Sequence, residues 1–117
     1  FAWQLLSTAR LQAVLDGAEP VLPVWFRQYD PDNEDTLDDL NAAIQHDSAP
    51  QAWAAVYSQW SEGYQRLIAI SEQVSESRLL ASNPYAFLKG YSPMDVLLGT
   101  YDHHLEHMDD LLPRLNH

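Results

Sequence analysis

Residues 92–112 read SPMDVLLGTYDHHLEHMDDLL, and the fold class turns on this stretch. Ser92, Pro93 and Asp95 make a helix start: a capping hydroxyl, a proline in the first turn, and a carboxylate where the helix dipole favours one. At about 100° per residue, with Tyr101 as zero, Met94, Leu97, Leu98, Leu105, Met108 and Leu112 fall within about 60° either side. That stripe is expected to face the core. Asp95, Asp102, Glu106, Asp109 and Asp110 then occupy a solvated face, and His103 and His107 share a third seam with Val96, Thr100 and Leu111. His104 lies on the shoulder of the core stripe. Pro113 disfavours helical geometry in the residue before it, so the helix is expected to end near Leu112.

Working outward, the chain gives three more helical segments and no strand pattern. Phe1 to Asp16 reads as a helix stopped by Gly17, with Pro20 and Pro23 blocking continuation. Its apolar residues lie on two sides, Phe1 and Leu5 against Trp3 and Val14, so it requires two partners. Residues 21–35 read as an irregular connection pinned by Trp25, Phe26 and Tyr29, and Thr36 to His46 as a short helix. Ser48, Pro50 and Gln51 resemble a capping box opening a long helix, whose stripe of Trp53, Val56, Tyr57, Trp60, Tyr64, Leu67, Ile68 and Val74 is expected to be core. An Asn83–Pro84 step marks the turn before the last helix. The expectation is an all-α helical bundle forming one domain over residues 1–117, beginning partway into an element.

The 117 residues carry 6 Lys and Arg against 17 Asp and Glu, a net charge of −11. Such a surface lacks the cations that grip nucleic acid or anchor to a membrane, so neither partner is expected. No run of about 20 apolar residues exists, and a cytoplasmic location is the expectation. With no cysteine, a metal would have to use His, Asp or Glu. There is no Gly-x-Ser-x-Gly elbow and no glycine cluster to cradle a phosphate. Asp30, Asp32, Glu34 and Asp35 imitate a calcium loop, but Asp35 stands where glycine is needed and Asn41 where glutamate is needed. A solvated loop is expected there.

The remaining chemistry lies in the histidines. His103 and His107, four apart, stack on one helical face, the spacing by which two imidazoles reach one metal ion. His104 and His107 form a second pair, three apart. A metal site needs a further ligand; His46 is better read as a cation at a helix C-terminus, and His117 sits at the chain end. Solvated histidines on an acidic helix remain the competing interpretation.

The block from Tyr91 to His107, with Gly-Thr-Tyr-Asp-His-His-Leu-Glu-His at 99–107, resembles the last helix of the DinB-like four-helix bundles. It is most similar to the branch containing DfsB and the colibactin self-resistance proteins, whose pattern is Asn-Thr-Tyr-Glu-His-Tyr-x-Glu-His. Gly99 stands for the usual Asn and His104 for the second Tyr. Phe1-Ala2-Trp3-Gln4 resembles the interior of that family's second helix. The resemblance implies a four-helix bundle lacking its first helix in this chain, with ligand roles for His103 and His107 alone and a third His near or before Phe1. It leaves two readings. One is a hydrolase or thiol transferase using a divalent metal (Zn, Ni, Mn or Fe), with Asp102 or Glu106 orienting the ligands or acting as base. The other is a metal-free bundle that binds a small molecule or protein. The two-sided first helix adds the expectation of a homodimer.

Overall fold

The computed structural model describes residues 1–81 and 84–115. Asn83 and His117, marked above as a turn residue and a terminal histidine, lie outside the described residues. Among the described residues there are six α-helices: α1 (Ala2–Asp16), α2 (Val24–Gln28), α3 (Leu37–Ser48), α4 (Trp53–Gln73), α5 (Glu76–Leu79) and α6 (Pro93–Leu115). Short 3₁₀ turns occupy Glu34–Thr36 and Ala86–Leu88, and no strand occurs among the described residues. The chain is therefore all-helical, as its sequence pattern requires.

Helix α1 is the centre. It ends where Gly17 enters the left-handed region at φ 63°, with its N–H returned to Ala13 O, a conformation glycine adopts without strain. Arg78 of α5 donates to Val14 O, one of the last-turn carbonyls that lack a helical partner. Buried residues lie all round α1, among them Ala2, Gln4, Leu6, Thr8, Leu11, Ala13 and Val14. Leu6 joins Phe26 of α2 and Leu40 of α3; Leu11 joins Leu67 and Ile70 of α4; Val14 joins Val74 and Leu88. Both apolar sides of this helix are covered within the chain, mainly by α4 and α6, so its two-sidedness is met without the second subunit that the sequence led us to expect.

Those contacts fix the directions. Going up α1, Gln4 meets Trp60 and Leu11 meets Leu67 and Ile70, so α4 runs parallel to α1. Gln4 also meets His104, Ser7 meets Thr100, and Leu11 meets Val96 and Leu97, so α6 runs antiparallel. The stretch holding α2 and α3 crosses over to allow the parallel pair. Phe26 is buried within it, as expected, although Val24–Gln28 is helical and not irregular.

The start of α6 is as the sequence predicts. Ser92 and Asp95 cap each other: the Ser92 N–H donates to Asp95 Oδ2 at 2.8 Å, and the Asp95 N–H donates to Ser92 Oγ at 3.2 Å. Its end is not, because Pro113 sits inside the helix and the last turn reaches Leu115. A proline so near the end forfeits one backbone hydrogen bond without breaking the turns before it. Ser48 is also reassigned. It closes α3 instead of capping α4, whose N-cap is Ala52, and its hydroxyl has no partner.

The largest correction concerns which stripes are buried. Of the α4 stripe only Leu67 and Val74, joined by Ile70, are buried, while Trp53, Tyr57, Trp60, Tyr64 and Ile68 are exposed. On α6, Leu98, Tyr101, Leu105, Met108 and Leu112 are exposed as well. What faces α1 is the neighbouring strip of Val96, Leu97, Thr100 and His104. Each helix touches α1 along one edge of a broad apolar face, and the rest of that face is left open.

Leu11, fully buried where α1, α4 and α6 meet, should be among the most expensive side chains to truncate. Leu11→Ala is expected to lower stability by about 2–5 kcal/mol, the range for a cavity at a core leucine, as measured by urea denaturation followed by circular dichroism.

Candidate functional site

A groove of about 1080 Å³ opens above α1. Its floor includes Trp3, Ser7 and Arg10 of α1; one wall is α6 from Asp95 to Leu111, and the other includes Asp32, Leu37 and Asn41. Apolar side chains supply most of the lining surface, with polar and charged side chains of α1, α6 and the Asp32 loop set among them, a make-up compatible with a small-molecule site.

One end is tied by charge. Asp32 accepts from Lys89 at 3.0 Å and lies 3.5 Å from Arg10, and Asp30 is 3.9 Å from Lys89. Hydrogen bonding and attraction from Asp32 hold the Lys89 ammonium above its ordinary pKa. Asp30 also accepts from the Asp32 N–H at 2.9 Å, folding the loop on itself. Asp30 and Asp32, two of the four acids that imitate a calcium loop, are thus engaged with Arg10 of α1 and with Lys89.

Along the floor, Trp3 Nε1 donates to Asn41 Oδ1 at 3.1 Å, joining α1 to α3, and the hydroxyls of Ser7 and Thr100 share a hydrogen bond of 2.9 Å. Of these groups Ser7 was not singled out by sequence, and Trp3 and Asn41 were named there for other reasons; Thr100 was placed on the seam of His103 and His107. A signal does exist, since Gln4, Ser7 and Thr8 are polar residues inside a helix that is otherwise apolar on two sides.

The three histidines of α6 divide into two roles. His104 turns inward: its Nδ1 donates to Thr100 O at 2.8 Å, which leaves Nε2 as the acceptor for Trp60 Nε1 at 3.3 Å. Gln4, with its amide nitrogen donating to Trp60 O and its oxygen accepting from Trp60 Nε1, both at 3.2 Å, closes the network. Gly63 leaves room for it, because a Cβ there would lie 3.1 Å from the Gln4 amide. His104 is a packing residue, and the second pair, His104 with His107, is not formed.

His103 and His107 point toward the groove together. Their Nε2 atoms are 3.1 Å apart and their ring planes nearly perpendicular, at 87°. His103 packs against Trp3, with ring centroids 6.4 Å apart. Burial, followed by the nearby His107, holds the His103 pKa below its ordinary value, although Glu106 pulls the other way. A neutral imidazole with a free lone pair is therefore favoured near neutral pH. His46 is distant in role: it is exposed, pairs with Asp47 at 3.4 Å, and does not line the groove. Asp102 and Glu106 are both exposed, and of the two only Asp102 lines the groove. Among the described residues no group of three His, Asp or Glu side chains converges. Nor is any helix among them long and apolar enough to cross a membrane.

Compared with protein-family models, characterised proteins and solved structures, the chain matches none of them.

The depressed His103 pKa has a definite sign for stability. The unfolded chain takes up this proton near pH 6.5 and the folded chain only at lower pH, so metal-free protein is fully stable above that value and loses stability as pH falls through the window. His103→Gln is expected to flatten that part of the profile of melting temperature against pH.

Proposed function

We propose that this chain is a DinB-like helical bundle that takes a small, largely apolar molecule into the groove and presents His103 and His107 as protein ligands for a divalent metal. The observation that carries the reading is the 3.1 Å separation of the two Nε2 atoms on the groove wall. Two imidazoles bonded at about 2.1 Å to one ion would stand about 3.0 Å apart at right angles and about 3.4 Å apart in a tetrahedron. The donor set therefore fits an ion of the Zn, Ni, Mn or Fe type, with positions left for water or substrate. When bound, such an ion supplies Lewis acidity, for hydrolysis or for transfer of a thiol.

The chain's own contribution is orientation of the two rings and an apolar lining beside them. Trp3 packs against the His103 ring, and the Ser7–Thr100 hydrogen bond ties the α6 wall to α1 one turn away. Asp102, on the groove, is better placed than Glu106 to orient a ligand or accept a proton. Leu98, Leu111 and Phe87 supply the apolar lining.

The second reading is a binding module without metal. It is favoured by the absence of a third converging ligand among the described residues and by the ability of the two rings to hydrogen-bond each other. Calorimetric titration of untagged protein with zinc and nickel chlorides decides between them. One ion per chain, lost in the double variant His103→Ala/His107→Ala and retained in His46→Ala, is the expected result. No binding at millimolar metal would leave the binding-module reading in its place.

A further inference from the structure

The groove has two unlike ends. On its floor Trp3, Ser7 and Arg10 follow one face of α1 at spacings of four and three, which sets Arg10 about 10 Å along the helix from Trp3, at about 1.5 Å per residue. Trp3 packs against His103. Because α6 runs antiparallel, Asp95 and Val96 reach the wall at the opposite end, and Leu88 closes against Val14 beyond them. Between the ends the wall is bare at Gly99, where an added Cβ would meet nothing within 4 Å. The histidine pair and the Arg10 guanidinium are thus the polar ends of one largely apolar trough.

Arg10 is the polar group of the floor whose hydrogen-bonding capacity is least used. Ser7 is joined to Thr100, and the Trp3 indole to Asn41. The Arg10 side chain is only 21% exposed, yet its carboxylate contact among the described residues is Asp32 Oδ1 at 3.5 Å, long for a hydrogen bond. A guanidinium carries five N–H donors in a planar fork that matches the two oxygens of a carboxylate. The acids nearby are better satisfied. Asp32 holds Lys89 through Oδ2 at 3.0 Å, Asp30 accepts from the Asp32 N–H at 2.9 Å, and Asp95 Oδ2 accepts from the N–H and hydroxyl of Ser92 at 2.8 and 3.1 Å. Unfilled donors beside satisfied acceptors favour an acceptor on the ligand.

We propose that this end of the groove binds the carboxylate of an organic acid whose apolar body lies along Gly99 toward His103, with Arg10 as the residue that selects for the charge. The proposal rests on the groove reading given above and not on the metal. Asp32 has a second home: a ligand carboxylate that takes Arg10 leaves Asp32 with Lys89, its nearer partner, so the exchange strands neither charge. A carboxylate suits the local field better than a phosphate dianion, because the single guanidinium on the floor is set between Asp32 and Asp95 on a chain of net charge −11.

Calorimetric titration of the full chain with octanoate, octanamide and octylammonium, which share a carbon chain and differ in charge, tests this, with circular dichroism to check folding. Octanoate is expected to bind at least about 10-fold more tightly than octanamide, the effect of a hydrogen bond to a charged group. Arg10→Gln should erase that ratio, and Arg66→Gln, at an exposed position away from the groove, should keep it. Asp32→Asn removes the competing carboxylate and should tighten octanoate while leaving octanamide unchanged. A folded Arg10→Gln variant that keeps the preference overturns the proposal, as does a folded Asp32→Asn variant that fails to tighten octanoate, or octylammonium bound more tightly than octanoate. Octanoate and octanamide bound equally by the unmutated chain overturn the anionic end and leave the groove reading standing; neither bound at millimolar concentration overturns both. The titrations are run without metal, so the zinc and nickel result does not enter them.

Discussion

Everything else in this molecule leans on the Leu11 side chain and its neighbours along α1. Leu11 is sealed between Leu67 and Ile70 of α4 on one side and Val96 and Leu97 of α6 on the other. Because the helix is buried on several sides, its faces cannot be ordered by amphipathicity, and its direction and depth are set by which side chains of α4 and α6 interlock with it. The same helix supplies Trp3, Ser7 and Arg10 to the groove. A displacement of α1 would therefore change the core and the groove together.

The polar groups on α1 explain why α6 sits in the rotation it does. Gln4, with Trp60 and His104, forms a network that leaves few unpaired polar atoms between three helices, and Ser7 with Thr100 adds a second polar tie. Burying these groups without partners would be costly, so their pairing selects one rotation of α6 over others with similar apolar contact. That rotation puts His104 inside and His103 and His107 on the groove. It also turns Tyr101, Leu105 and Met108 outward. The histidine pair and the open apolar face are thus two consequences of one rotation.

The end of α1 and the start of α6 were readable because they depend on a few neighbouring atoms. Gly17 and the Ser92–Asp95 cap are local, and the structure has both. Ser48 misled because a hydroxyl three residues before a glutamine satisfies the pattern of a cap, while the residues around it continue α3. The pairing of His103 with His107 was legible from a spacing of four on a helix. Trp3, Asn41 and Arg10 were not, since they reach the groove from segments distant in sequence.

By itself the sequence determined that the chain is helical, where α1 ends and α6 begins, that its first helix needs two partners, and which histidines share a face. These follow from dihedral preferences and from periodicity along one element. Only the tertiary structure decided which part of each apolar stripe is buried. The stripes of α4 and α6 are wider than the line along which either can touch α1, so periodicity names an apolar face without saying how much of it a neighbour covers. Polar pairing at Gln4 and Ser7 chose the covered edge, and with it the direction in which the histidines point.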